Sequence, residues 1–86
     1  MGLWTKLDRS AGLAGGMAER LGVDLAGEML SDPESAAGQY RALVLRCATC
    51  RCQDECTGLQ ASHETLDAAP DYCVNKTELE RRAAAS

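Results

Sequence analysis

Arg46-Cys47-Ala48-Thr49-Cys50-Arg51-Cys52-Gln53-Asp54-Glu55-Cys56 is the stretch on which the reading of this chain turns, and a fifth cysteine, Cys73, stands well beyond it. Written as spacings, the candidate ligands are Cys47-x2-Cys50-x5-Cys56-x16-Cys73, with Cys52 as an extra thiol inside the cluster. A local redox pair has no use for a distant partner. A tetrahedral site or a cluster does, because separate chain segments must surround the metal. Single buried cysteines often act as small hydrophobes, but four at this spacing point to a metal centre held by Cys47, Cys50, Cys56 and Cys73. Cys52 reads first as a spare thiol, and second as an exchangeable ligand or redox sensor. His63, the only histidine, could complete a Cys3His set in place of Cys73 or Cys52; the simpler reading is a solvated loop residue. The pair Cys47-Ala48-Thr49-Cys50 lacks the βαβ context of thioredoxin-like chemistry.

Four thiolates exclude magnesium and calcium by softness and leave zinc or iron–sulfur. Zinc ribbons usually present paired Cys-x2-Cys turns, and only one such pair occurs here, in helical surroundings. The x2 and x5 spacing is similar to part of the ligand run that holds a [4Fe–4S] cluster in helical DNA-repair glycosylases. A [4Fe–4S] iron–sulfur cluster is therefore the favoured cofactor, zinc the alternative, and a metal-free thiol or disulfide redox-sensing protein the third reading. Arg46 and Arg51 flank the cluster and can offset its charge. Tyr72, next to Cys73, is expected to cover the metal and exclude water.

Arg46-Cys47-x2-Cys50-x5-Cys56, with Ala69-Pro70-Asp71-Tyr72-Cys73-Val74-Asn75 further on and Glu19-Arg20-Leu21-Gly22-Val23-Asp24 upstream, resembles a small uncharacterised bacterial family. That family is marked by Arg-Cys-x2-Cys-x5-Cys and a later aromatic-Cys-Pro-Asn motif. The likeness covers most of the chain. Val74 stands where the family has proline, and Cys52 is additional. The resemblance supports the four ligands and implies no task.

Outward from the cysteines the pattern is helical. Ser31 and Glu34 have capping-box spacing and Pro33 suits a first turn, so a helix is expected to run from there through one face of Tyr40, Leu43, Val44 and Cys47. Cys47 and Cys50 share a face if that helix extends far enough. A second short helix is predicted over Arg51 to Ala61, loosened by Gly58, followed by a loop from Ser62 to Ala69. Asn75 and Glu78 again have cap spacing. They place Cys73 ahead of a last helix, whose N-terminal dipole would lower its thiol pKa. Glu78, Glu80, Arg81 and Arg82 read as a solvated face.

Upstream, Leu3, Leu7, Ala14, Met17 and Leu21 recur at helical intervals. Gly15 and Gly16 are expected to bend this helix or delay its start to about Ala11, unless they serve close packing against a neighbour. Gly22 suits its C-terminus and Asp24 caps a short turn over Leu25 to Leu30. No alternating strand pattern occurs. The expected architecture is all-α: a small bundle of four to five short helices closed by the four-cysteine site, one domain over residues 1–86, with a hairpin over 1–30, the cysteine region over 31–82 and a frayed end over 83–86.

The chain has 86 residues, five cysteines and no phenylalanine. Its aromatics are Trp4, Tyr40 and Tyr72, with Trp4 and Tyr40 expected as core anchors. So thin a core favours recruiting a metal or cross-link. A net charge of −4 opposes nucleic-acid binding. The longest strongly apolar run, Ala42 to Leu45, is far short of the ~20 residues that span a bilayer, and the opening residues lack a secretory layout. A cytoplasmic, non-enzymatic protein with a protein partner is expected, without nucleic acid or membrane. No phosphate-cradling loop, paired-carboxylate arrangement or nucleophile elbow occurs. Two tasks fit: a redox or metal-responsive module, and a structural site behind an interaction surface.

Overall fold

The computed structural model describes residues 2–85, and within that span not the side chain of Leu3. Five helices follow in order: α1 (Gly2–Leu21), α2 (Leu25–Ser31), α3 (Pro33–Ala48), α4 (Gln53–Ser62) and α5 (Lys76–Ala85). No strand occurs among the described residues. The molecule is all-helical, and α1 is its hub, packing against each of the other four.

Contrary to the expected bend, α1 runs unbroken through Gly15 and Gly16. The packing explanation holds at Gly16, where a β-carbon would collide with the side-chain amide of Gln60 on α4. That amide donates to the Leu13 carbonyl at 2.9 Å, so helix propensity is given up for a close crossing. The end of α1 is as the sequence indicates. Gly22 adopts φ +88°. Gly22 N–H reaches Glu19 O at 3.1 Å and Val23 N–H reaches Ala18 O at 2.9 Å, a Schellman pair sealed by the buried Val23 and Ala18. Asp24 then caps α2, accepting from Gly27 N–H at 2.9 Å.

At the next junction the cap is Asp32, not Ser31. Pro33 occupies the first turn of α3 and forces its predecessor out of helical geometry, so Asp32 takes extended φ −149° and accepts from Ser35 N–H at 3.4 Å, while Ser31 ends α2. Helix α3 buries Ala36, Leu43 and Cys47 and stops at Ala48, so Cys50 lies off the helix in a turn. Helix α4 begins at Gln53, two residues later than expected, and passes through Gly58 intact. Helix α5 continues through Ala83 and Ala84 to Ala85; Ser86 lies outside the described residues.

The core collects Leu13, Met17, Leu43 and Leu79 with Ala14 and Ala18 of α1, Ala69 of the segment between α4 and α5, and two of the cysteines, Cys47 and Cys56. Trp4 is not an anchor: it is 73% exposed near the start of α1. Ser10 takes a core position instead, fully buried and bonded to Gln53 Nε2 at 3.1 Å. Arg82 also departs from the solvated face expected of it. It is 7% exposed, with Nε on Glu78 at 2.9 Å and Nη1 on Glu28 at 3.4 Å, tying α5 to α2. No helix among the described residues is long and apolar enough to cross a membrane.

Candidate metal centre

Each cysteine arrives on a different local structure. Cys47 sits on the last turn of α3, Cys50 in the α3–α4 link, Cys56 on the first turn of α4, and Cys73 in the irregular segment before α5. Cys50 N–H bonds the Cys47 carbonyl at 3.0 Å, a tight turn that folds the link back over the end of α3. The four thiols line one cavity of about 20 Å³, closed by Met17 and Leu79 and flanked by Tyr72. That space suits an occupant about the size of one water.

Cys52 and His63 are not in the lining. Cys52 is the N-terminal cap residue of α4, and His63, exposed, ends that helix with Nδ1 at 3.1 Å from Leu59 O. All five cysteines are free thiols. Among the described residues no three His, Cys, Asp or Glu side chains are gathered tightly enough to hold a metal ion as they stand. The thiols surround a space without converging on one point.

Hydrogen bonds to sulfur are the second feature. Cys52 N–H points at Cys50 Sγ at 3.4 Å, and Gln60 Nε2 at Cys56 Sγ at 3.3 Å. The Asn75 backbone N–H serves Cys73. Such donors stabilise a thiolate and tune a thiolate-bound metal.

Burial nevertheless dominates the protonation of the inner thiols. It pushes the Cys47 thiol up to about 11, with the neighbouring Cys56, Cys50 and Cys73 adding to it. Cys56 and Cys73 shift upward from the same first cause. For Cys73 this reverses the lowering expected from the head of α5, since the Asn75 N–H and the Lys76 charge offset only part of the burial. The Tyr72 hydroxyl is raised likewise, by burial first and then by Cys56, Glu55 and the other nearby cysteines.

A raised folded-state pKa stabilises the metal-free fold below the ordinary thiol pKa, and that contribution disappears as pH climbs through the folded value. The urea midpoint of reduced, metal-free protein should therefore fall between pH 9 and about 11. Cys47→Ala should flatten that fall; an identical slope in the variant would contradict the assignment.

Three side-chain amides hold the cysteine segments in register: Gln53 and Gln60, to which the sequence assigned no role, and Asn75, whose spacing pointed only to a helix cap. Gln53 Nε2 donates to the Cys47 carbonyl at 2.9 Å, joining α4 to the end of α3. Asn75 Nδ2 donates to Leu43 O at 2.8 Å, while its Oδ1 accepts from Arg46 Nε at 2.8 Å. Asn75 thus spends its side chain on α3 rather than capping α5, and the Glu78 carboxylate turns to Arg81 and Arg82. Gln53, Cys56 and Gln60 fall on one face of α4 at three- and four-residue steps, which was the available signal: a helix whose inward face is polar. The segment between α4 and α5 is pinned by Ala69, whose N–H reaches Glu80 at 2.9 Å and whose carbonyl accepts from Lys76 at 2.6 Å.

No curated protein and no solved structure matches the chain. A family model described as a family of unknown function (DUF6455) matches residues 1–85. Because that match takes in α1, the cysteine-bearing elements and α5 together, the chain belongs to this family over essentially its whole length.

Proposed function

We propose that the protein is a cytoplasmic, non-enzymatic metal-binding module. Cys47, Cys50, Cys56 and Cys73 hold its centre; a [4Fe–4S] cluster is the occupant that their spacing favours, one that the cavity of about 20 Å³ must widen to admit, and the module answers redox or metal status through a protein contact. The observation that carries this reading is the meeting of four thiols, from α3, α4 and two irregular segments, on one cavity at the edge of the core. N–H donors to three of the sulfurs support it. Four soft donors fit a cluster or zinc and no hard cation.

Binding would replace four thiol protons with metal bonds, so affinity falls as pH falls. Drawing the sulfurs together asks for movement of Cys50 and Cys73, both on irregular backbone. A bound cluster would supply electron exchange and a cross-link between the helices.

Zinc is the second reading, and the small cavity, about 20 Å³, favours it because a single ion needs less rearrangement of the walls. Elemental analysis with a UV–visible spectrum, on protein purified without oxygen, tests both. Iron with acid-labile sulfide and absorbance near ~400 nm is the expected result for a thiolate-bound cluster. One colourless zinc per chain would transfer the proposal to a structural site. Protein carrying no stoichiometric metal, with fewer than five free thiols, would overturn both in favour of disulfide chemistry.

A further inference from the structure

Cys50 has two faces. One lines the enclosed cysteine cavity; the other opens onto a separate recess of about 310 Å³ on the outside of the α3–α4 link. Lys6, Arg9 and Arg51 line that recess, with Gln53 and Asp54. Arg9 is paired with Asp54, while among the described residues neither Lys6 nor Arg51 forms an ion pair. In a chain of net charge −4 this is a local concentration of positive charge around a thiol. Its volume lies at the lower end of small-molecule pockets, roughly 300–1,000 Å³. Cys52, two residues on, is absent from the recess and lies near the Glu55 carboxylate.

We propose that this recess receives small carboxylate-bearing disulfides and thiols, and that Cys50 is the sulfur on which they act. Lys6 and Arg51 attract the carboxylates. The Cys52 N–H, 3.4 Å from the Cys50 sulfur, donates to it and restrains its position. The Cys50 thiol first releases its proton to solvent. Its thiolate then attacks one sulfur of the disulfide; the S–S bond breaks as the Cys50–S bond forms, and the other half leaves as a thiolate with the bonding pair. Cys50 is oxidised to a mixed disulfide and the departing half is reduced. A second carboxylate-bearing thiol reverses the step. Where the proposed metal centre is present, a capped Cys50 could not ligate, and that consequence rests on the metal reading; the exchange does not.

Reduced, metal-free protein would be treated separately with 5,5′-dithiobis(2-nitrobenzoate), a dianion, and cystamine, a dication. Each rate would be divided by that of the urea-unfolded chain, and the adduct mapped by mass spectrometry. Charge steering raises association by about tenfold or more at low salt. The expected result is a normalised preference of about tenfold for the dianion, mapped first to Cys50 and fading in strong salt. Lys6→Glu with Arg51→Glu, both at exposed positions, should bring it close to unity. Equal normalised rates, first modification at Cys52, or a salt-insensitive preference would overturn the proposal. Because the rates are read without metal, their failure is distinct from a failure of metal analysis.

Discussion

Chelating the proposed metal from protein isolated without oxygen should lower its melting temperature by at least about 15 °C, the shift that a loss of about 3 kcal/mol produces in a domain of this size. The expectation follows from what is left when the centre is gone. Among the described residues the largest fully buried side chains are Met17, Leu43, Leu79 and the hydroxyl-bearing Ser10. Alanines and two cysteines make up much of the remaining core.

Gln53 ties the start of α4 to the end of α3, Asn75 ties the segment before α5 to α3, and the four thiols line the cavity between these segments. A metal bonded to all four sulfurs would cross-link these segments, and binding energy is then folding energy, ~10–16 kcal/mol for structural zinc in small domains. Calorimetry or circular dichroism with reductant, with and without a strong chelator, measures the effect. An unchanged melting temperature would remove the structural role of the centre, whatever metal analysis finds.

The parts of the fold legible in the sequence are those governed by local chemistry. Gly22 and Asp24 announced the turn between α1 and α2 because a left-handed residue and a side-chain acceptor each do one thing there. Pro33 announced α3, although the restriction it imposes on its predecessor selects Asp32 as the cap, a consequence that the Ser31–Glu34 spacing obscured. What escaped was set by tertiary contact. Gly16 costs helix propensity, and only the arrival of Gln60 from α4 shows what the cost secures. Asn75 has the spacing of a cap and is recruited by Leu43 and Arg46 across the molecule.

The sequence spacing grouped four cysteines as metal ligands; among the described residues no three of them stand close enough to hold an ion as they are. Cys47, Cys50, Cys56 and Cys73 do line a common cavity while Cys52 does not. The basic surroundings of Cys50 were not legible, since they draw on Lys6 and Arg9, some forty residues upstream on α1.

Met17→Ala should cost about 2–5 kcal/mol, the range for truncating a buried methionine, and lower the melting temperature by at least about 10 °C. Met17 is 1% exposed on the inner face of α1 and is one of the walls of the cysteine cavity. Removing its side chain deletes packing and enlarges a space that already exists, so the neighbours have little reason to collapse inward. That places the cost toward the upper part of the range. Met17→Leu keeps most of the volume and should cost less than about 1.5 kcal/mol.

The same truncation opens the cavity wall that α1 supplies. The buried thiols Cys47 and Cys56 should therefore react faster with a neutral reagent such as iodoacetamide in Met17→Ala than in Met17→Leu. If Met17→Ala stays within about 0.5 kcal/mol of the parent, as a surface substitution would, α1 does not close the cavity. A large loss of stability with unchanged thiol reactivity would have another meaning. Met17 would belong to the general core, and the wall over the cysteines would be the work of Tyr72 and Leu79, the remaining bulky side chains that line it with Leu13 and Val74.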